Sequence, residues 1–580
     1  MKYRAWFLAA AAVAITAVAA YATQPAPPVY DVLITNGTIY DGSGDAPFHG
    51  DVAIKGDRIV YVGPHADGTA TRTVDAQGKA VAPGFINMLS WANEALLVDG
   101  RGQSDLRQGV TLEVMGEGDS MGPLTPEMKK NAEQRQIDIH YPVDWTTLGE
   151  YLEKLEKQGI SPNVASFAGA ATVRIHELGE GDVQPTPEQL AKMQVLVHDA
   201  MEEGALGVGS SLIYSPANYA KTPELVALVK EAALCGGMYI SHMRNEGNHL
   251  EDGVAELIQI ARESGAPAEI YHMKQAGKPN WGKLDAMIAT IEAARKAGLR
   301  ITADMYTYTA GATGLDAAMP PWVQDGGLEA WIARLKDSAI RKRVLAEMRD
   351  GHTKWDNLYY LAGPENTLML AFKNPELKPL TGKRLGEIAK LWNESPEDTA
   401  IDLVIKDGSR VGVAYFLMSE DNVARQTTLP WMSFGSDETA QSPDGAFLKS
   451  NTHPRAYGNV ARLLAKYVRD EKRLTLQEAV RKLAAQPAKN LSLHDRGMLK
   501  PGYYADVVIF DPATVQDNAT FEKPQVFATG MSEVFVNGVE ALKDGDPTGA
   551  RSGRFVRGRA WKGWPDGGCR KAASDWTWQW

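Results

Sequence analysis

Eight short runs rich in β-branched and small apolar residues, separated by stretches with helical periodicity, run through the middle of this chain. They are Ala80–Met88, Val110–Glu117, Asn163–Ala170, Ala205–Leu212, Gly237–Arg244, Ala268–Lys274, Arg300–Thr309 and Trp431–Asp437. Alternation of this kind specifies an α/β fold with parallel strands joined by crossover helices, and eight units are the number that closes a (β/α)8 TIM-like barrel. Two of the helices are legible in detail. Pro223 to Ala233 places Leu225, Val226, Leu228 and Val229 on one face, and a second runs from Lys283 to Ala297. Each stops just before a glycine, Gly236 or Gly298, the residue that tolerates a left-handed helix end. The gap from Trp322 to Arg425 is too long for a loop. Its helical segments Gly327–Arg349 and Lys383–Asn393 make residues 322–425 an insertion between strands seven and eight, where a lid over the barrel mouth would sit.

Outside this region the pattern changes to strand and turn. Tyr30 to Tyr40 alternates around Asn36-Gly37, and Asp51 to Val62 around Gly56-Asp57, so two hairpins are expected. Gly502 to Phe510 and Ser532 to Leu542, the latter with Asn537-Gly538, repeat that chemistry near the other end. Each end alone has too few strands for stability. Residues 30–80 and 491–560 are therefore expected to build one small β-sandwich domain around a barrel of residues 81–490, with an aromatic tail at 561–580.

The first residues bear on compartment. Lys2 and Arg4 precede the apolar run Ala5 to Ala20, and Ala20-Tyr21-Ala22 has the small residues of a cleavage site, so residues 1–22 read as a signal peptide and the protein as periplasmic or secreted. That run is shorter than the roughly 20 residues a membrane span needs, and no stable span is expected after processing. Lys+Arg total 61 against 72 Asp+Glu, a formal charge of −11 without a basic run, which argues against nucleic acid as a partner. Only Cys235 and Cys569 are present, so neither a disulfide framework nor a cysteine-rich zinc module can form. Whether the two cysteines meet stays open, as does the oligomeric state. A metal bound here must use histidine and carboxylate.

Strand five ends in Ser241-His242-Met243-Arg244 and strand six in Tyr271-His272-Met273-Lys274. Adjacent parallel strands that each end in histidine bring both imidazoles to the C-terminal rim, close enough to share a divalent ion. Strand eight, ending in Phe434-Gly435-Ser436-Asp437, delivers a carboxylate to the same rim. Lys274, two residues beyond His272 on the same strand, points to the same side as that ligand.

Six motifs occur together and in order: Pro83-Gly84-Phe85-Ile86, Ser241 to Gly247 (SHMRNEG), Tyr271 to Gly282 (YHMKQAGKPNWG), Ala303 to Gly311 (ADMYTYTAG), Gly435-Ser436-Asp437, and His453 to Gly458 (HPRAYG). The chain thereby resembles the N-acyl-D-amino-acid deacylases (D-aminoacylases) of the amidohydrolase superfamily over roughly Tyr30 to Leu542. The resemblance implies a metal-containing barrel that hydrolyses the amide of an N-acyl-D-amino acid. It also implies that Lys274, Tyr214 and Arg455 bind the α-carboxylate of a small-molecule substrate.

The chain departs from that family at the metal site. The His-x-His expected after strand one is Leu89 and Trp91, with Asn87 in place of the preceding Asp. The cysteine expected after strand two is Gly118, and the histidine after strand three is Ala170. Glu117, one position before Gly118, is the nearest carboxylate that could take over. The resulting expectation is one Zn²⁺ per chain held by His242, His272 and Glu117, making water acidic enough to ionise near pH 7, with Asp437 as general base. Two other readings of these residues stay open: a dipeptidase or other amide hydrolase, and a non-catalytic binding protein that has lost one metal pocket.

Overall fold

The computed structural model describes residues 28–569. The expected signal segment 1–22 and Trp576, Trp578 and Trp580 lie outside the described residues. Among those described, no helix is long and apolar enough to cross a membrane.

Both chain ends enter one nine-stranded sheet. Its order is Asp546–Pro547, Val539–Lys543, Met531–Val536, Val507–Phe510, Ala80–Pro83, Val29–Ile39, Phe48–Lys55 and Arg58–Gly63, with Thr69–Asp75 pairing parallel to Val29–Ile39. The two ends join where Val507–Phe510 runs antiparallel to Ala80–Pro83. Inward residues from both, among them Ile34, Val52, Val81, Val507 and Phe535, share one core. The hairpin expected within Tyr30–Tyr40 is not formed. Val29–Ile39 is a single strand with a register shift between Ile34 and Gly37, where Asn36 has φ 57°. Asn36-Gly37 is used for a bulge because a neighbouring strand passes too close for a side chain: a Cβ at Gly37 would come within 2.5 Å of Val81 Cγ2.

The middle supplies parallel strands in chain order. Phe85–Asn87, Val110–Met115 and Asn163–Ser166 form one set. Ala168–Gly169, Gly207–Ser211, Met238–His242, Ala268–Ile270, Ile301–Met305 and Met432–Phe434 form the other. Met88 N donates to Phe434 O at 3.1 Å, and Phe167 N to Met115 O at 2.9 Å, linking the two sets at both margins. Strands such as Gly207–Ser211 and Met238–His242 are buried at every position, as expected for parallel strands covered on both faces.

The sixth of the expected strands is shorter than its sequence suggested. It stops at Ile270, and the backbone turns so that His272 has φ 34°. Asp304 on the next strand holds the turn: His272 N donates to its Oδ1 and Met273 N to its carbonyl, both at 2.8 Å. Lys274 therefore does not reach the site by strand alternation, which corrects the geometric reason first given for it.

The insertion also differs in kind. Besides the helices Leu328–Leu335, Ser338–Met348, Leu385–Trp392 and Pro396–Asp407 it supplies two strands of an antiparallel sheet in the order Ala310–Gly314, Gly412–Phe416, Thr367–Ala371, whose first strand precedes it in the chain. Ala310–Gly314 reads AGATG, without the bulky alternation that would have marked a strand. The stretch Gly327–Arg349 is two helices because the Asp337 carboxylate caps the second, accepting from Ala339 N and Ile340 N at 2.9 Å.

The last described segment runs along the start of strands three and four. Gly553 N donates to Ile160 O, Val556 N to Val164 O and Gly558 N to Gly204 O, each at 2.8 Å. Trp561 and Trp564 pack edge to face with centroids 5.1 Å apart. Cys235 and Cys569, whose meeting the sequence left open, form a disulfide across a separation of 334 residues and pin this segment down. A bridge over so long a loop restricts the unfolded chain strongly, so Cys569→Ser should lower stability by about 2–5 kcal/mol. Unfolding midpoints that are the same with and without reductant would show that the hydrogen bonds alone hold the segment.

Candidate metal centre

Glu117, His242 and His272 arrive from three strands. His242 is the last residue of Met238–His242, His272 sits on the turn after Ala268–Ile270, and Glu117 follows Val110–Met115 by way of Gly116. That glycine has φ 102°, and a Cβ there would lie 2.4 Å from Phe167 O, so the sharp exit that aims Glu117 inward requires it. Glu117 Oε1 lies 3.2 Å from His242 Nδ1 and 2.9 Å from His272 Nε2. One donor atom from each of the three residues lies within 4.8 Å of the other two. All three side chains are buried, and His242 Nε2 has no hydrogen-bond partner. Two imidazoles and a carboxylate, buried with converging donor atoms, fit a catalytic zinc site, which takes three protein ligands and leaves one position open.

The buried groups also bias one another's charge. Burial alone would raise the Glu117 carboxyl, but His272 and His242 hold it well below the usual carboxylate range. Burial lowers His242. It works against protonation of His272 too, as does Lys274, yet the nearby Glu246 and Glu117 outweigh both and leave that imidazole well above its ordinary value.

Sequence reasoning missed Glu246. Its carboxylate lies beneath both histidines, Oε1 3.1 Å from His272 Nδ1 and Oε2 3.4 Å from His242 Nε2, and each oxygen accepts from Lys274 Nζ at 2.9 Å. Lys274 Nζ is also 2.5 Å from His272 Nδ1. The spacing of Glu246 four residues after His242 was visible within SHMRNEG, but its burial was not, because the chain has already left the strand.

Asp437 is held from both sides, with φ 52° at the end of strand eight. Its Oδ1 accepts from Trp91 Nε1 at 3.1 Å, and its Oδ2 lies 2.9 Å from Arg455 Nη2. Burial pushes its carboxyl up to about 6, against the pull of the Arg455 guanidinium. Non-glycine residues in left-handed backbone carry strain that persists where the surroundings over-determine it, and of the ten such residues described, His272 and Asp437 carry site side chains.

Arg455 is buried over the Tyr306 ring, 4.3 Å from its centroid, while its Nε and Nη1 and the Tyr306 hydroxyl lack partners. Tyr214 sets its ring edge against His242, centroids 5.4 Å apart, beneath the Arg410 guanidinium. Lys274, Tyr214 and Arg455, Asp437 and the three candidate ligands thus all line one cavity of about 760 Å³. The same cavity is lined by Leu124, Met128 and Ile137 and, from the insertion, by Leu328, Leu370 and Val413, together with the charged Arg135, Glu180 and Lys373. His453 is held structurally, its Nε2 3.0 Å from Ala310 O, and Arg174 is committed to a buried ion pair with Glu224.

The structure also explains two departures at the rim. Leu89 is fully buried in apolar packing with Ile86, Met88 and Leu112. A Cβ at Gly118 would lie 2.5 Å from Ser211 Cβ, so the space a cysteine side chain would enter is filled by Ser211, whose hydroxyl donates to Glu117 Oε1 at 3.2 Å. Among the described residues the other group of three possible ligands is His198, Cys235 and Cys569, whose sulfurs are joined in the disulfide.

The Amidohydrolase family profile matches residues 72–541. D-aminoacylase of Alcaligenes xylosoxydans xylosoxydans is 33% identical over 529 residues, covering 91% of this chain and 97% of that protein. A D-aminoacylase structure described as having a binuclear metal centre, with one-metal activation and second-metal attenuation, superposes with a TM-score of 0.74 at 32% identity, covering 91% of this chain and all of the other. N-acyl-D-glutamate deacylase of Bordetella bronchiseptica, solved with zinc and a phosphonate mimic of the tetrahedral intermediate, gives 0.74 at 29% identity with the same coverage. The chain belongs to the amidohydrolase family, in its N-acyl-D-amino-acid deacylase (D-aminoacylase) group.

Proposed function

We propose that this protein hydrolyses the amide bond of N-acyl-D-amino acids with one divalent metal per chain, zinc by its donor set, held by Glu117, His242 and His272. The observation that carries the proposal is the convergence of that donor set with a carboxylate, Asp437, fixed at both oxygens in the same cavity. The bound ion supplies Lewis-acid activation of a water and of the substrate carbonyl. Asp437 takes the proton from the attacking water and returns it to the departing amine, which otherwise leaves poorly. Arg455, with two unpartnered N–H groups, orients the substrate carboxylate by charge-assisted hydrogen bonds; Lys274 and Tyr214 line the same end of the cavity. Glu246 keeps both imidazoles in place and balances the charge of Lys274.

The eight central strands are read as a closed (β/α)8 barrel and the nine-stranded sheet as the β-sandwich built from both chain ends. Export to the periplasm or medium accords with the Cys235–Cys569 bridge, since disulfides persist in oxidising compartments. The mature chain should begin at or near Thr23, which intact-mass analysis of exported protein checks.

The function is tested by hydrolysis of N-acetyl-D-amino acids against their L-enantiomers and against dipeptides. Turnover of the D-acids alone is expected, and preference for L-acids or dipeptides would move the protein to another amidase. Metal analysis after exhaustive dialysis should find about one equivalent, because Leu89 and Trp91 replace the second imidazole pair; two retained equivalents would mean a further ligand set. Arg455→Gln should weaken handling of the acids relative to their amides by about 2–5 kcal/mol. An unchanged acid-to-amide ratio would remove Arg455 from carboxylate recognition.

A further inference from the structure

Trp91 stands at the second position of the expected His-x-His, yet it is not a passive filler. Its ring is 36% exposed and lines the cavity, and its one N–H is shared between two carboxylates: Nε1 lies 3.0 Å from Glu117 Oε2 and 3.1 Å from Asp437 Oδ1. The remaining oxygens of these groups are turned elsewhere, Glu117 Oε1 toward His242, His272 and Ser211, and Asp437 Oδ2 toward Arg455. The indole N–H therefore occupies the gap between a candidate metal ligand and the candidate base. Two carboxylates drawn that close repel unless a cation or a donor lies between them. A second metal ion would do this with a full charge; an indole does it with a neutral donor that cannot dissociate or exchange.

We propose that Trp91 is a positioning residue that takes the place of a second metal ion: its N–H ties Asp437 to Glu117, sets the orientation of the base, and keeps the centre mononuclear. The proposal rests on the assignment of Asp437 as base and Glu117 as ligand. It implies that the loss of His-x-His did not leave an emptied half-site but a rebuilt one, with Leu89 sealed into the core and Trp91 holding the carboxylates.

Trp91→Phe keeps the aromatic surface and deletes the N–H. It should retain one tightly bound zinc after dialysis and lower kcat by roughly 10-fold or more, the usual scale for a residue that orients catalytic groups, with little change in KM. Trp91→His restores a ring N–H and should recover most of that turnover when zinc is supplied at one equivalent. With excess zinc, Trp91→His combines an imidazole with the freed oxygens of Glu117 and Asp437 and should take up a second equivalent, read by metal analysis and calorimetry, where the wild type and Trp91→Phe take up one. Wild-type kcat in Trp91→Phe overturns the proposal, and so does loss of its tightly bound metal, since Trp91 would then support the ligand set and not the base. One equivalent in Trp91→His under excess zinc overturns the exclusion of a second ion. Failure of the underlying assignment is seen separately, as full turnover by Asp437→Asn with Trp91 intact.

Discussion

Asp437→Asn should lower turnover by roughly 10²-fold or more, the usual contribution of a positioned base, while the metal stays bound. The substitution keeps the size of the side chain but removes its capacity to accept a proton, and it leaves one acceptor oxygen where Trp91 and Arg455 each face a carboxylate oxygen. The pH profile gives a second view of the same group. A base works only when deprotonated, so kcat/KM should fall as pH drops through the carboxyl's titration. Burial places that near 6, and an added cation at the neighbouring site can only move it lower, because opposite charge favours the ionised form. The acid limb is therefore expected at or below about pH 6, and Arg455→Gln, which removes the stabilising guanidinium, should shift it upward. An Asp437→Asn enzyme with full activity would end this account of the mechanism.

The second large effect concerns the ligands. His272→Ala and Glu117→Gln each leave two protein donors where a catalytic zinc site takes three. Both should lose metal on dialysis and activity with it. For Glu117→Gln the loss follows from charge at the ion: the neutral amide brings none of the negative charge that the carboxylate supplies. Activity restored by excess zinc, with weakened affinity, would confirm a ligand role. Full metal in Glu117→Gln together with metal loss in Asp437→Asn would require the two assignments to be exchanged.

These two predictions also mark where local reading reached its limit. Both histidines at neighbouring strand ends were legible because strand polarity alone puts such ends on one rim. Glu117 could be named only as the nearest available carboxylate; that it faces both imidazoles follows from the turn at Gly116 against Phe167, a contact between segments some fifty residues apart. Lys274 was expected to face the site for the wrong reason, since strand six ends early when Asp304 captures its backbone.

The alternation of strands and helices, the glycine stops after Cys235 and Ala297, and the turns at Gly56-Asp57 and Asn537-Gly538 follow from properties of a few consecutive residues, and they were all present in the chain as written. Hydrophobic period, backbone freedom and turn chemistry act over less than about 20 residues, the length of one helix or strand with its ends. What that range could not supply is the pairing of Ala80–Pro83 with Val507–Phe510, the bridge from Cys235 to Cys569, and the meeting of Trp91, Glu117 and Asp437. Each depends on which distant segments share a surface once the core has closed. The bulge at Asn36-Gly37 shows the same division within four residues: the dipeptide permits either a hairpin or a bulge, and the passage of Val81 beside Gly37 selects the bulge.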